Sequence, residues 1–258
     1  MNTFLKSDRP LITPLLASTE EASLLKEISD SLAQGADAFG LQIERLPKGL
    51  RSEKKMKNFF AAMQGKPIYV TCYPRGDVIE ETDEERAETL INALKWGATL
   101  ADVRGDLFCH CDGEMTYDRD AVEKQKELIR RIHNMGKEAL ISSHIIYNGV
   151  FRFLTKEEVL SIALEQQSRG ADISKIVTKA DTEEDLLENF EAITLLKRKV
   201  GIPVLFLCNG EKCLRHRLGG GLIYEPIVFV KEKSHCPESS SQPPIEQMAT
   251  LFRNAGMM

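Results

Sequence analysis

The 258-residue chain lacks the features of membrane and nucleic-acid proteins. It has no run of about 18 apolar residues, the length that a membrane-spanning helix needs. It has no clean apolar segment behind its N-terminal charges, so we expect no signal peptide. It also lacks excess basic charge, because 34 Lys and Arg stand against 39 Asp and Glu, a net charge of −5. Nucleic-acid-binding proteins usually carry a basic face. We therefore expect neither a nucleic acid nor a membrane as a partner.

Cysteine is present, but not at the spacing of structural metal sites. The six cysteines are Cys72, Cys109, Cys111, Cys208, Cys213 and Cys236. The pair around His110 is separated by one residue, whereas zinc knuckles use two to four. A chain without an export signal is also expected to keep its thiols reduced. The sequence therefore predicts free thiols and no metal.

The glycine motifs of nucleotide-binding folds are absent as well. No G-x-G-x-x-G follows the first apolar run, and no G-x-x-x-x-G-K-[ST] occurs anywhere. The glycine run 219–221 precedes the last apolar run, and we interpret it as a flexible turn. These absences disfavour a Rossmann-like open sheet, the main alternative fold.

What the sequence does contain is a regular alternation of strand-length apolar runs and helical stretches. Eight runs are predicted as strands: 10–17, 37–43, 67–72, 99–103, 139–144, 173–177, 202–208 and 222–230. Strands that alternate with helices pair in parallel, because a parallel crossover needs a helix-length connection. Eight such units in about 250 residues favour an α/β fold of the closed (β/α)8 barrel type. We expect one barrel domain over residues 1–258.

The sequence also predicts where helices begin and end, and it predicts one lid-like loop. Hydroxyl residues before early carboxylates predict helix N-caps, at Ser18, Thr82, Thr155 and Thr182. Glycines just past helical stretches predict C-caps, at Gly35, Gly65, Gly97, Gly136, Gly170 and Gly201. The Pro- and Ser-rich segment 236–244 follows the last strand. Loops after barrel strands form active sites, so we expect a lid-like loop at about 231–244.

Two side chains at the ends of neighbouring strands carry candidate chemistry. Lys175 lies in an apolar strand, where desolvation would lower the pKa of a lysine and leave a nucleophilic amine. Such an amine can form a Schiff base with a carbonyl substrate. His144 ends the preceding strand and suits proton transfer near neutral pH. From the residues alone, a snorkelling lysine and a hydrogen-bonded histidine at the barrel rim stay open.

These residues lie in segments that resemble type I 3-dehydroquinate dehydratase. Residues 142–144 read Ser-Ser-His, where that family has Ser-Asn-His, and residues 170–176 read G-A-D-I-S-K-I, close to its lysine motif. Residues 217–220 resemble its R-L-x-G after strand seven, and 241–244 lie at its lid loop. The resemblance follows the whole chain in element order and is specific from about Lys137 onward.

The resemblance implies a lyase without a cofactor that converts 3-dehydroquinate to 3-dehydroshikimate. Lys175 would form the imine and His144 would transfer the protons. Arg217 would hold the carboxylate of a small-molecule substrate through a bidentate fork, and Ser241 and Gln242 would bind from the lid. The resemblance further implies a cytoplasmic homodimer in the shikimate pathway of aromatic amino acid biosynthesis.

The first half departs from the family pattern. Strand two normally carries E-x-R, but here Gln42 and Glu44 take these places, and two-residue alternation puts them on one face. Strand four normally ends D-x-E, but here it ends with Arg104. The strand-three arginine is replaced by Tyr73, with Arg75 two residues beyond. We expect these five residues to contact the substrate, and we expect Glu44 to pair with Arg104.

Three functions are compatible with this pattern. The chain is a dehydroquinate dehydratase that tolerates the replacements, or a class I aldolase-type lyase for another polyhydroxylated keto acid, or a catalytically impaired carboxylate-binding paralogue. The retained Lys175, His144 and Arg217 count against the third function. The altered first-half residues count against the first.

Overall fold

The structure is a computed structural model that describes residues 3–75, 79–223, 225–232 and 241–258. Each of the eight predicted strands is present. They are β1 (Leu11–Leu16), β2 (Phe39–Gln42), β3 (Ile68–Thr71), β4 (Leu100–Arg104), β5 (Glu138–His144), β6 (Ile173–Lys179), β7 (Val204–Asn209) and β8 (Ile227–Val230). The helices are α1 (Glu21–Gln34), α2 (Glu53–Ala62), α3 (Asp83–Trp96), α4 (Arg119–Asn134), α5 (Lys156–Ser168), α6 (Glu183–Lys199), α7 (Cys213–Ile223) and α8 (Ile245–Asn254).

The order of the strands identifies the fold. The hydrogen-bonded order is β8-β1-β2-β3-β4-β5-β6-β7, so the strands from β1 to β7 each lie beside the next in sequence, and β8 lies beside β1. The ladder of β1 with β8 is parallel, from the Leu11 and Ile227 pair to the Pro14 and Val230 pair. A doubly wound sheet would reverse its order at a switch point. Sequential parallel order is that of a (β/α)8 barrel, and the predicted fold class is confirmed.

The chain packs as two compact units. The first comprises Met1–Asp102, Asn134–Glu138 and Ile227–Met258. In it, the ring of Tyr69 on β3 lies 5.4 Å from that of Phe229 on β8. The second comprises Val103–His133 and Ala139–Pro226. Apolar residues of β6, β7, α5 and α6 form its core, with Val159, Ile176, Ile193, Leu196 and Phe206 among them.

Three of the four predicted hydroxyl caps are confirmed. Thr82, Thr155 and Thr182 each precede a helix with a capping box. The threonine hydroxyl accepts from the backbone N–H three residues later, and the acidic side chain of that residue accepts from the threonine N–H. The cap predicted at Ser18 is wrong. Helix α1 begins at Glu21, and the N–H of Ser18 donates to the carboxylate of Glu27 instead.

The glycine run 219–221 is not the predicted turn, because it lies inside α7. A Cβ on Gly219 would come within 2.6 Å of the Phe190 ring, and one on Gly220 within 2.7 Å of the Glu225 carboxylate. The glycines therefore allow α7 to pack closely against α6, and this contact outweighs their low intrinsic helix propensity. The eighth strand accordingly begins at Ile227 rather than at residue 222.

His216 is a buried histidine of α7 that packs as an aromatic ring. Its ring stacks on Phe190 with centroids 5.7 Å apart and meets the edge of Phe206 at 5.2 Å. Neither ring nitrogen has a hydrogen-bond partner among the described residues. Burial, with a further contribution from the charge of Arg217, lowers the pKa of His216 to about 3. The imidazole is therefore neutral in the folded protein.

Replacing His216 with phenylalanine is expected to stabilise the protein. It removes two buried, unbonded nitrogens, a change of about 1–3 kcal/mol in the free energy of unfolding at pH 7. The folded pKa of about 3 lies below the usual 6.5, so the unfolded chain binds more protons between these values. Histidine therefore costs stability as the pH falls through this window, and the gain in His216→Phe should be larger at pH 5 than at pH 7. Urea unfolding at both pH values measures this.

His133 provides the control for that experiment, because its side chain is part-exposed and contacts Asp172 at 2.9 Å. His133→Gln should give no gain at either pH. A His216→Phe variant that is less stable than the wild type at pH 5 would contradict the account of a neutral, unbonded ring.

Among the described residues, no helix has the length and apolar character that crossing a membrane requires.

Candidate active site

Lys175 and His144 lie on one face of two paired strands. In the parallel ladder of β5 and β6, Ser142 lies opposite Lys175 and His144 opposite Val177. Side chains two residues apart share a face, so Lys175 and His144 both project from the same side. His144 ends β5, and Lys175 is the third of the seven residues of β6. Lys175 is only 5% exposed, and Ile173 and Ile176 beside it are fully buried. The amine is buried, as the sequence predicted.

Gln166 of α5 fixes the other face of these strands. Its amide nitrogen donates to the Ser143 hydroxyl at 3.0 Å and to the carbonyl of Lys175 at 3.3 Å. Its amide oxygen accepts from the Ser174 hydroxyl at 2.6 Å. One buried glutamine thus binds both β5 and β6 next to Lys175. Ser143, the residue that replaces the family's asparagine, faces this glutamine.

A carboxylate partner of His144 is Glu114, which is not among the site residues predicted from the sequence. Glu114 Oε2 lies 2.6 Å from His144 Nδ1 and accepts from the His144 backbone N–H at 3.0 Å. Burial would raise the pKa of Glu114, but the bonds and charge of His144, with the charge of Arg104, hold it at about 2. An ionised carboxylate at Nδ1 favours the tautomer with the proton on Nδ1 and the lone pair on Nε2.

Arg104 connects the end of β4 to the loop that bears Glu114. Its Nη2 lies 2.9 Å from Asp106 Oδ2 and 3.3 Å from Glu114 Oε1. Asp106 Oδ2 also accepts from the N–H of Cys111 at 3.1 Å, while burial raises the pKa of Asp106. Arg104 is thus held among carboxylates of its own loop.

Glu44 differs from its expected placement. Strand β2 ends at Gln42, and Ile43–Arg45 form a 3₁₀ turn, so the two-residue alternation stops before Glu44. The inference that Gln42 and Glu44 share a strand face is therefore wrong. Glu44 is buried, which raises its pKa, and its carboxylate accepts from the Thr71 hydroxyl at 2.8 and 3.0 Å. Within the first unit Glu44 is thus bound by Thr71, and within the second unit Arg104 is bound by Asp106 and Glu114. The pairing of Glu44 with Arg104 stays a prediction.

Two tyrosines, Tyr69 on β3 and Tyr73 just after it, share the carboxylate of Asp102 in the first unit. The Tyr73 hydroxyl donates to Asp102 Oδ2 at 2.7 Å, and the hydroxyl of Tyr69 donates to the same oxygen. Burial and the charge of Asp102 raise the pKa of Tyr69 well above its usual value. Arg75 is exposed, with its guanidinium 5.2 Å from the centre of the Tyr73 ring. Gln42 lies opposite Thr71 in the β2–β3 ladder.

One edge of the Arg217 guanidinium is hydrogen-bonded to the end of β7. Its Nε donates to the carbonyl of Cys208 at 3.2 Å, and its Nη2 donates to Asn209 Oδ1 at 3.4 Å. The residue is 6% exposed, and burial lowers the pKa of its guanidinium. These bonds use two of the three guanidinium nitrogens.

Ser241 and Gln242 are part-buried, and two prolines separate them from the start of α8 at Ile245. The segment is anchored to the end of β8, because the N–H of Lys231 donates to the Pro243 carbonyl at 3.0 Å. The rest of the predicted lid, residues 233–240 with Cys236, lies outside the described residues.

The described cysteines are free thiols, namely Cys72, Cys109, Cys111, Cys208 and Cys213. Over the described ranges, no three His, Cys, Asp or Glu side chains come together as metal ligands would.

The fold and these contacts define a (β/α)8 barrel with a buried lysine and a carboxylate-bound histidine on adjacent strands. The family model of type I 3-dehydroquinase matches residues 12–258. The chain belongs to the type I 3-dehydroquinase family.

Individual relatives agree with this assignment. The chain is 24% identical to 3-dehydroquinate dehydratase of Shouchella clausii (strain KSM-K16) over 251 residues, 95% of this chain and 91% of that protein. It is 30% identical to the enzyme of Alkaliphilus oremlandii (strain OhILAs) over 123 residues, a match that spans about half of each protein, 47% of this chain and 46% of that relative.

Solved structures support the fold. The 3-dehydroquinate dehydratase of Geobacillus kaustophilus HTA426 superimposes with a TM-score of 0.79 at 17% identity, covering 97% of this chain and 92% of that one. The type I enzyme of Clostridium difficile gives a TM-score of 0.76 at 18% identity, covering 98% and 94%.

Proposed function

We propose that this protein is a hydro-lyase that dehydrates 3-dehydroquinate to 3-dehydroshikimate through an imine on Lys175. The observation that carries the proposal is the buried amine of Lys175 on the same face as His144, whose Nδ1 is bound by Glu114. Family membership over residues 12–258 supports the substrate.

The proposed reaction begins with attack of the Lys175 amine on the ring ketone, and loss of water gives a protonated imine. The imine withdraws electrons and makes the adjacent C–H acidic. His144 Nε2 removes that proton and delivers a proton to the departing hydroxyl, which leaves as water when the C=C bond forms. Hydrolysis of the imine then restores the ketone of the product and the free amine. No cofactor enters these steps.

Arg217 is proposed to bind the substrate carboxylate. Other substrate-contacting roles stay predictions, and they concern Gln42, Glu44, Tyr73, Arg75, Arg104, Ser241 and Gln242. The direct test is incubation with 3-dehydroquinate, with product formation followed through the absorbance of the new conjugated enone. Formation of product at catalytic enzyme levels supports the proposal. Turnover only of other polyhydroxylated keto acids, or of none, would favour the aldolase-type or the impaired carboxylate-binding alternative.

Arg217→Lys is expected to weaken substrate binding more than it slows the reaction. Lysine cannot form the bidentate bond, and loss of a hydrogen bond to a charged group is worth a factor of about 10–100 in KM. Arg215→Lys is the matched control, because Arg215 lies on the same helix but is 61% exposed and pairs with Glu183. Steady-state kinetics of both variants measure the effect. An unchanged KM in Arg217→Lys would remove Arg217 from the carboxylate site.

We also propose that the chain forms one barrel domain over residues 1–258 and works as a cytoplasmic homodimer in the shikimate pathway of aromatic amino acid biosynthesis. Membership of the type I 3-dehydroquinase family supports the pathway. Light scattering after gel filtration tests the dimer, which should have twice the 29.0 kDa mass of the chain.

A further inference from the structure

The loop after β4 folds back to bring Glu114 to His144. The N–H of Gly105 donates to the carbonyl of Ser142 on β5 at 2.7 Å, and the N–H of Thr116 donates to the carbonyl of Gly105 at 3.1 Å. A Cβ on Gly105 would lie 2.6 Å from the Glu114 carbonyl oxygen and 2.9 Å from the Ser143 hydroxyl. The approach of the loop to β5 therefore requires glycine at this position.

Two buried side chains, those of Arg169 and Gln125, also bind the loop at Gly105. Arg169 Nη1 donates to the Gly105 carbonyl at 3.0 Å and to Gln125 Oε1 at 2.8 Å. Gln125 Nε2 donates to the same Gly105 carbonyl at 3.1 Å and to that of Leu107 at 2.8 Å. A buried arginine and a buried glutamine therefore hold one turn of the loop in place.

The conformation of Glu114 itself is unusual. Its φ is 49°, in the left-handed region that non-glycine residues rarely adopt, and Gly113 before it has a φ of 78°. Such strain persists only where the surrounding structure imposes it, and it is concentrated at functional sites. The strained residue is the one whose carboxylate binds His144.

We propose that Glu114 is the positioning residue of His144 and that Arg104 and Asp106 hold it in place. In this chain Arg104 stands where the family motif of strand four has its acid, and the following loop supplies the carboxylate instead. Arg104 Nη2 bridges Asp106 and Glu114, so the basic residue at the strand end fixes the relocated acid. The inference deepens the proposed function, on which its kinetic part rests.

Glu114→Gln tests the positioning role. An amide can donate or accept at Nδ1, so the tautomer and orientation of the imidazole are no longer imposed. We expect kcat to fall by about 10²–10⁴-fold, as when other enzymes lose the carboxylate that orients a catalytic histidine. KM should change by less than about threefold, because His144 transfers protons rather than binding substrate. Asp112→Asn is the matched control, because Asp112 lies in the same turn and its carboxylate contacts the N–H of Asn148 instead. This control should keep wild-type kcat.

A second variant tests the relocation. Adding Arg104→Glu to Glu114→Gln returns an acid to the end of strand four. We expect the double variant to recover at least about tenfold of the lost kcat, whereas Arg104→Glu alone should lose activity because Glu114 loses its bridge. A double variant that melts like the wild type but recovers nothing would overturn the relocation.

The decisive readout does not depend on the substrate. In protein labelled with ¹⁵N-histidine, the ring nitrogens of His144, assigned with His144→Gln, should show the proton on Nδ1 in the wild type and in Asp112→Asn. Glu114→Gln should lose this preference. Identical His144 ring spectra in Glu114→Gln and the wild type would overturn the positioning role. Failure of the proposed function, by contrast, would appear as absent dehydration with the Nδ1 signature intact.

Discussion

Replacing Lys175 with methionine is expected to abolish dehydration of 3-dehydroquinate, with kcat/KM falling by about 10⁴–10⁶-fold, as when other enzymes lose a covalent nucleophile. Methionine has a similar length and suits a buried position beside Ile173 and Ile176. The fold should therefore remain intact. Without the amine no imine forms, and the ketone alone is a weaker electron sink for removing the adjacent proton.

Lys179 provides the matched control because it lies on the same strand and the same face. Its side chain is 34% exposed, and its Nζ pairs with Asp181 at 2.6 Å. Lys179→Met should keep wild-type kcat within a few-fold. The assignment would be refuted by a folded Lys175→Met enzyme that retains more than a few per cent of its activity, or by a Lys179→Met enzyme that is inactive.

His144→Ala is expected to give the second large loss, with kcat falling by about 10²–10⁴-fold. In the proposed reaction the imidazole takes the proton next to the imine and returns one to the leaving hydroxyl, so both parts of the elimination depend on it. Substrate should still form some imine, because the nucleophile is Lys175. Rapid-quench kinetics with borohydride trapping separate imine formation from turnover.

The control for this variant is His133→Ala, on the outer surface of α4, which should behave like the wild type. If His144→Ala instead formed no imine but processed preformed imine normally, the histidine would serve binding and not proton transfer.

The barrel could be predicted from sequence because its signals are local. Apolar runs of strand length and hydroxyl caps such as Thr82, Thr155 and Thr182 act within a few residues of where they stand. Helix α7 shows where prediction from neighbouring residues in the sequence fails. Its glycines disfavour a helix on their own, and only the Phe190 ring, distant in sequence, explains why Gly219 lies in one.

The candidate site also contains residues that could be predicted from the sequence and residues that could not. Lys175 and His144 could be found because Lys175 is a charged residue within a predicted apolar strand and His144 ends the preceding one, where a barrel carries its chemistry. Glu114 could not be found, because its position depends on a loop whose path is set by Gln125 and Arg169. The one sequence signal was indirect, namely the missing acid at Arg104. Glu44 was misplaced because the strand ends at Gln42 and a 3₁₀ turn follows, so strand alternation does not extend to Glu44.

The central claim is that Lys175 forms a covalent imine with 3-dehydroquinate, and borohydride trapping tests it most directly. Borohydride reduces an imine to a stable secondary amine, so the intact mass of the chain should rise by one reduced substrate- or product-derived group. Peptide mapping should place that group on Lys175, and Lys175→Met should show no increase. An adduct on another lysine, or dehydration that proceeds while no adduct can be trapped, would contradict the claim.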